Sequence, residues 1–79
     1  MAMETMYTYR TSDLYLSAFL KAKGMRLKDK VRSGDKFIFI FDDRDDRKEL
    51  IQEFFSDGMV NITAFKNAIQ DLKTLVFNT

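Results

Sequence analysis

The stretch Lys36-Phe37-Ile38-Phe39-Ile40-Phe41 decides the fold of this chain, because it fits a buried β-strand better than any other element. β-Branched and aromatic residues favour a pleated, packed surface. A short apolar run without polar alternation is typical of a strand that is covered on both faces. Since side chains alternate along a strand, the phenylalanines are expected on one face and the isoleucines on the other.

A second strand is predicted just before this run, where apolar residues recur at every second position. Met25, Leu27 and Val31 are expected to face the core, with Asp29 as a charged exception on that side. The outer side then carries a row of cations, which consists of Arg26, Lys28, Lys30 and Arg32. Ser33-Gly34-Asp35 makes a compact turn, so the two strands are expected to pair as a hairpin.

The spacing of apolar residues predicts a first helix over residues 12–23. Thr11 and Ser12 are the N-cap candidates, and Asp13 is favourably placed in the first turn. Gly24 stands where a glycine commonly ends a helix, which sets the C-terminal bound of this element.

A cluster of carboxylates opens the second predicted helix, since acidic side chains satisfy free N–H groups and complement the helix dipole there. The cluster consists of Asp42, Asp43, Asp45 and Asp46. The N-cap is either Asp45 or Asp46, because Asp46 and Glu49 have the spacing of a capping box. The helix is expected to bury Phe55 and to end at Gly58.

A third helix follows, in which Asn61 is the expected cap and Ile62 begins an apolar stripe with steps of three and four residues. Tyr7-Thr8-Tyr9 adds either a short strand or an extended arm at the other end of the chain. The whole pattern predicts an α+β fold, a β-hairpin or small three-stranded antiparallel sheet packed by three helices, in the order (β)-α-β-β-α-α.

The length of 79 residues allows one domain. We expect an N-terminal arm or short strand in residues 1–10 and a single compact α+β domain in residues 11–79. No apolar run approaches the length of a membrane span, and no basic segment precedes one, so we expect a cytoplasmic protein without a membrane partner.

The composition excludes several kinds of active site. Cysteine is absent, which removes disulfides and thiolate metal sites. Histidine is also absent, which removes the commonest general base, the commonest zinc ligand and the usual switch near neutral pH. No serine has a histidine to activate it, so we expect no catalytic residues, no enzymatic activity and no cofactor.

The row of cations on the second strand is the first candidate site. At about 3.3 Å per residue the row spans roughly 20 Å, and duplex DNA presents one negative charge per about 1.7 Å of its axis. Such a row can follow phosphates, and Lys36 across the hairpin, with Lys21 and Lys23 at the end of the first helix, extends it. The competing interpretation is an outer strand whose charges keep it soluble.

The apolar strand is the second candidate site. In a chain this short a two-layer arrangement leaves one face of the strand uncovered. Ile38 and Ile40 then mark an interface for a second copy or for another protein. The competing interpretation is that the last helix or the N-terminal arm covers that face.

Two further clusters have simpler explanations. The carboxylates that open the second helix are of the type that holds Mg²⁺ or Ca²⁺, but Arg44 and Arg47 compete for them and capping explains them, so no metal is predicted. Tyr7 and Tyr9 can stack on bases, or pack on the sheet if their segment is a strand. Tyr15 is expected in the core.

Four segments of the chain occur together in a known pattern. They are Thr11-Ser12-Asp13-Leu14-Tyr15-Leu16 with Ala18-Phe19-Leu20, then Lys23-Gly24, then Phe37-Ile38-Phe39-Ile40-Phe41-Asp42, and the closing Phe65, Ala68 and Leu72-Lys73. Over residues 9–77 the chain resembles a small prokaryotic family that is known only as a domain of unknown function. The resemblance implies a bacterial, archaeal or phage origin and a small stand-alone protein, and it implies no activity, cofactor or catalytic residue.

Three functional hypotheses follow from the sequence. The first is a small non-enzymatic binding or accessory protein that contacts nucleic acid through the row of cations and Lys36. The second is a protein–protein interaction module, either a homodimer or a phage-type inhibitor, that uses Ile38 and Ile40. The third is a metal-dependent enzyme built on the carboxylates Asp42, Asp43 and Asp46.

Overall fold

A computed structural model describes residues 7–77 of the chain. Its elements are β1 (Thr8–Thr11), α1 (Leu14–Ala22), β2 (Leu27–Ser33), β3 (Lys36–Asp42), α2 (Arg47–Phe55) and α3 (Ile62–Phe77). The strands form one antiparallel sheet in the order β1-β3-β2. The predicted α+β class and the predicted order of elements are confirmed.

The N-terminal segment, for which the sequence allowed either a short strand or an extended arm, forms a strand. β1 pairs with β3 so that Tyr9 lies opposite Phe41, which makes β3 the central strand of the sheet. The predicted boundary at residue 10 therefore falls inside β1. Residues 1–6 of the expected arm and residues 78–79 of the expected domain lie outside the described residues.

The phenylalanine face of β3 carries the core. Phe39 and Phe41 are buried in one hydrophobic cluster together with Leu20 of α1, Leu50 of α2 and Leu72 of α3. All three described helices therefore pack on the same face of the sheet, and the molecule has two layers. The predicted separation of phenylalanines from isoleucines is confirmed, because neither isoleucine of β3 belongs to this cluster.

Helix α1 lies at the centre of the helical layer. Residues 16–20 are all buried, and five consecutive residues point around the full circumference of a helix. The sheet and the neighbouring helices α2 and α3 cover α1 between them. Ser17 is the polar member of this run, and its hydroxyl donates a hydrogen bond of 2.8 Å to the Asp13 carbonyl, so its burial leaves no unpaired donor.

The N-terminus of α1 differs from the prediction. Asp13 is the N-cap, and its carboxylate accepts a hydrogen bond of 3.0 Å from the Leu16 N–H. Thr11 and Ser12 were the expected caps, and both assignments are wrong. The Thr11 hydroxyl instead accepts from the Asp13 N–H at 3.1 Å, which holds the capping residue in its extended conformation.

The C-terminus of α1 and the N-terminus of α3 agree with the sequence, whereas α2 ends earlier than predicted. Gly24 follows α1 with a φ of +98°, which a glycine adopts without strain. Asn61 caps α3 by accepting a hydrogen bond of 2.9 Å from the Ala64 N–H. Helix α2 ends three residues before Gly58, where a Cβ atom would collide with the Glu53 carbonyl.

A β-bulge changes the orientation of β2. Leu27 lies opposite Phe41 and Asp29 lies opposite Ile40, so Lys28 is an extra residue in the ladder. Beyond the bulge every side chain points to the face opposite to the one predicted by simple alternation. Val31, which is 39% exposed, therefore lies beside Ile38 on the face away from the helices, and its predicted place in the core is wrong.

We predict that Phe39→Ala lowers the free energy of unfolding by about 3–5 kcal/mol, because it leaves a cavity at the centre of the core. Chemical denaturation followed by circular dichroism measures this loss. Phe77→Ala is the matched control: Phe77 is exposed, so its truncation is expected to cost less than about 1 kcal/mol. Similar losses for both variants would contradict the placement of β3.

Candidate binding surface on the open face of the sheet

We call the side of the sheet that faces away from the helices the open face. Residues that lie directly opposite each other in a ladder share a face. The open face therefore contains Thr8 and Arg10 of β1, Lys36, Ile38, Ile40 and Asp42 of β3, and Asp29, Val31 and Ser33 of β2. All helices of residues 7–77 pack on the other side, so this surface is available to a ligand.

The bulge divides the predicted row of cations between two faces. Arg26 and Lys28 lie on the open face, where the Arg26 Nε and the Lys28 Nζ are each 3.9 Å from an Asp42 carboxylate oxygen. Lys30 and Arg32 lie on the helical side of β2, because they pair with phenylalanines of β3. The Arg32 guanidinium carbon is 5.5 Å from the centre of the Phe37 ring. The prediction that these four cations share one face is wrong.

The open face acquires other cations in their place. Lys36 lies there at the hairpin end of β3, as its position opposite Ser33 requires. Arg10 joins from β1, where it is exposed and pairs with Ile40. Arg10 is not among the predicted site residues, because the sequence pattern fits either a strand or an arm in this segment. The sequence signal for Arg10 is its alternation with the apolar Tyr9. In a strand this alternation places the two side chains on opposite faces of the sheet.

The two isoleucines of β3 lie on the open face, as predicted. Ile40 is only 7% exposed, although no described helix covers it. Its ladder partners are Arg10 and Asp29, and the aliphatic stem of Arg10 is long enough to lie over it. The proposed role of Ile38 and Ile40 as an interface stays a prediction, with half-buried Ile38 as its more accessible member.

The acidic cluster is held by two arginines. Asp43 accepts two hydrogen bonds from Arg47, at 3.1 and 3.2 Å, and Asp46 accepts two from Arg44, at 2.9 and 2.7 Å. Asp46 is the N-cap of α2, but its side chain makes no capping bond, because Arg44 occupies the carboxylate. The expected capping box is therefore absent. Within residues 7–77 no three acidic side chains converge as a metal site would require.

These ion pairs change the acidity of both carboxyls. The bidentate Arg47 guanidinium lowers the pKa of Asp43, and partial burial opposes this effect. The Arg44 guanidinium likewise lowers the pKa of Asp46. Arg47 also lies over the Tyr9 ring, 4.6 Å from its centre, so this group joins α2 to β1. These contacts indicate that the acidic cluster stabilises the fold.

The tyrosines are distributed differently from the prediction. Tyr9 packs against the core, which agrees with a strand at this position. Tyr15 is 56% exposed, so its predicted place in the core is wrong. Tyr7 is also exposed. Every aromatic residue of the described strands lies on the helical side of the sheet, so the open face offers no ring on which a base can stack.

Three large apolar side chains at the connection between α2 and α3 are exposed. Phe55, Met59 and Ile62 have exposed fractions of 70%, 80% and 71%. Phe55 contacts Phe54 edge to face, with 5.0 Å between ring centres, while Phe54 itself packs on the core. The predicted burial of Phe55 and Ile62 is wrong.

No helix within residues 7–77 has the length and apolar character needed to cross a membrane.

We predict that the Asp43–Arg47 ion pair makes the free energy of unfolding decrease at acidic pH. Because the pKa of Asp43 is lower in the folded protein than its ordinary value of about 3.9, the unfolded state binds more protons as pH falls, and stability decreases below about pH 4. Arg47→Gln should flatten this decrease by restoring the carboxyl to its ordinary acidity. Urea titrations between about pH 5 and pH 2 measure it.

The control is the double variant Asp43→Asn with Arg47→Gln, compared with Asp43→Asn alone. The two should show the same dependence on pH, because the arginine acts through this carboxyl. An undiminished decrease in Arg47→Gln would contradict the ion pair.

Comparison with known proteins identifies a family. No curated protein and no solved structure matches the chain significantly. The family model described as "Domain of unknown function (DUF5659)" matches residues 6–78, which include every described strand and helix. The chain therefore belongs to the DUF5659 family of unknown function.

Proposed function

We propose that this protein is a non-enzymatic binding protein that contacts nucleic acid through the open face of its sheet. One observation carries the proposal: all three strands, with the segment that leads into β2, contribute cations to the face that no described helix covers. These cations are Arg10, Arg26, Lys28 and Lys36.

The local charge balance supports an anionic ligand. The open face carries two carboxylates, Asp29 and Asp42, against its four cations. Asp42 is shared by Arg26 and Lys28 at 3.9 Å, a separation at which exposed pairs contribute at most about 1 kcal/mol. Such weak pairs rearrange easily, so phosphates can take the place of this carboxylate.

The chemistry of the face favours duplex over single-stranded nucleic acid. Proteins that bind single strands commonly stack bases on aromatic side chains, and the described strands place all their aromatic rings on the helical side. A β-sheet surface fits the major groove of B-form DNA, where its cations reach the phosphates on either side. Lys30 and Arg32 lie at the edge of the same sheet and add to the field around it.

A protein–protein interaction role is the second candidate function. The exposed apolar side chains of Phe55, Met59 and Ile62 at the connection between α2 and α3 favour it, because exposed apolar surface commonly marks an interface. These side chains are a better candidate interface than Ile40, because Ile40 is buried and leaves little surface for a partner to contact. A two-fold homodimer is the simplest assembly that can cover these side chains. The prokaryotic origin and cytoplasmic location expected from the sequence stay predictions.

We predict salt-dependent binding of a short DNA duplex, measured by fluorescence anisotropy over a range of salt concentrations. Arg10→Glu together with Lys36→Glu should lower the slope of log affinity against log salt by about 2, because two phosphate contacts are lost. Lys66→Glu together with Lys73→Glu is the matched control, with the same change in net charge at exposed positions of α3. This control should retain most of the slope.

Two results would contradict the proposal. One is the absence of binding to any duplex or single strand at low salt. The other is an equal loss in both double variants, which would show that net charge and not the open face attracts the nucleic acid.

The second candidate predicts a concentration-dependent dimer in light scattering after size exclusion. Phe55→Ser together with Met59→Ser should abolish the dimer, because these exposed apolar side chains would form its interface. A mass near the 9.3 kDa of one chain at every concentration would reject self-association.

A further inference from the structure

A groove runs along the outer edge of β2, between this strand and the C-terminal half of α3. It has two adjoining parts of about 310 and 580 Å³, and Leu27 and Leu75 line both of them. The smaller part continues along Lys28, Asp29 and Lys30. The larger part reaches Lys21, Arg26, Met25, Asp71 and Thr74.

One wall of the groove is the backbone of an edge strand. Within residues 7–77, β2 pairs with β3 and with no other strand. Every second residue of such a strand turns its N–H and C=O groups away from the sheet. An extended peptide can pair with these groups as an additional strand, and a helix beside the edge supplies a second wall for its side chains.

The remaining surfaces of the groove combine an apolar floor with a cationic rim. Met25, Leu27 and Leu75 supply the apolar floor. The charged lining residues are four cations and two carboxylates, namely Lys21, Arg26, Lys28, Lys30, Asp29 and Asp71. Asp71 and Lys21 lie 3.8 Å apart and offset each other, which leaves Arg26, Lys28 and Lys30 against Asp29, so the lining attracts negative charge.

We propose that this groove binds an extended acidic peptide of a partner protein, which joins the sheet as a fourth strand beside β2. Alternate side chains of the peptide enter the groove over Leu27 and Leu75, and its carboxylates meet the cations of the rim. Backbone hydrogen bonds supply affinity in this mode, and the pockets and charges select the sequence. The site lies beside the open face and takes a different class of ligand from the nucleic acid proposed above.

A second copy of this chain does not fit the same edge. An antiparallel pair of β2 strands centred near Val31 would place Lys30 of one copy opposite Arg32 of the other, and like charges facing each other across a ladder are destabilising. Lysines and a bulge on an edge strand are also the features by which proteins avoid pairing with themselves. A peptide of opposite charge turns this repulsion into attraction.

Two groups of residues separate the peptide site from the nucleic-acid surface. Lys30 and Thr74 border the groove and are absent from the open face. Arg10 and Lys36 lie on the open face and are absent from the lining of the groove. Arg26, Lys28 and Asp29 belong to both, so the two ligands are expected to compete in part.

The test is a titration of the ¹⁵N-labelled chain with a synthetic peptide of seven residues, the length of β2, that alternates glutamate with valine. The same peptide with lysine in place of glutamate is the control ligand. We expect amide shifts at residues 27–30 and at Thr74 and Leu75, together with slower hydrogen exchange along β2. The lysine peptide should cause none of these changes.

Two variants locate the site. Lys30→Glu should weaken binding at least about tenfold, because it places a like charge against the peptide. Thr74→Tyr should also abolish the shifts, since it fills the groove from an exposed helical position and leaves the core intact. Lys66→Glu is the control for Lys30→Glu, because it makes the same change of charge at a position of α3 outside the groove. This variant should bind the peptide like the unmodified chain.

Three results would overturn the proposal. The first is the absence of shifts at millimolar peptide. The second is a set of shifts confined to Arg10, Lys36 and Ile38, which would place the peptide on the open face. The third is a duplex DNA that shifts residues 27–30 and Thr74 when the peptide does not, which would make the edge a nucleic-acid contact.

Discussion

Burial of the phenylalanine face of β3 against α1 is the interaction on which the rest of the structure depends. Phe39 and Phe41 lie at the centre of the core, and burying a side chain of this kind contributes roughly 1.5–3 kcal/mol. Because the helices of residues 7–77 gather on this face, the isoleucine face of the same strand stays open. Because β3 carries phenylalanines on one face and isoleucines on the other, it contributes both to the core and to the surface that is available for binding.

The bulge at Lys28 then decides which charges reach that surface. Without it, Val31 would point into the helical layer and Lys30 would lie on the open face. With it, Lys30 and Arg32 flank the edge while Arg26 and Lys28 meet Asp42 on the open face. One extra residue therefore separates a sheet surface suited to phosphates from an edge groove suited to an acidic strand.

The extent to which sequence predicts this architecture differs between elements. Period and turn chemistry predicted the hairpin, the helices and the cap at Asn61, because these depend on local backbone preferences. Simple alternation from Leu27 does not predict the bulge, although Asp29 on an otherwise apolar side is its signal in the sequence. Phe55 and Tyr15 were misplaced because helical spacing identifies an apolar stripe and cannot show how far a neighbouring element covers it.

The most direct test of the account is the set of methyl contacts made by Val31, measured by nuclear Overhauser effects. The account predicts contacts between Val31 and Ile38 on the open face, since these residues lie opposite each other, and none between Val31 and Leu72 in the core. Contacts between Val31 and Leu72 would show that β2 alternates without a bulge. The cations would then form a single row, and the proposed division into an open face and an edge groove would be wrong.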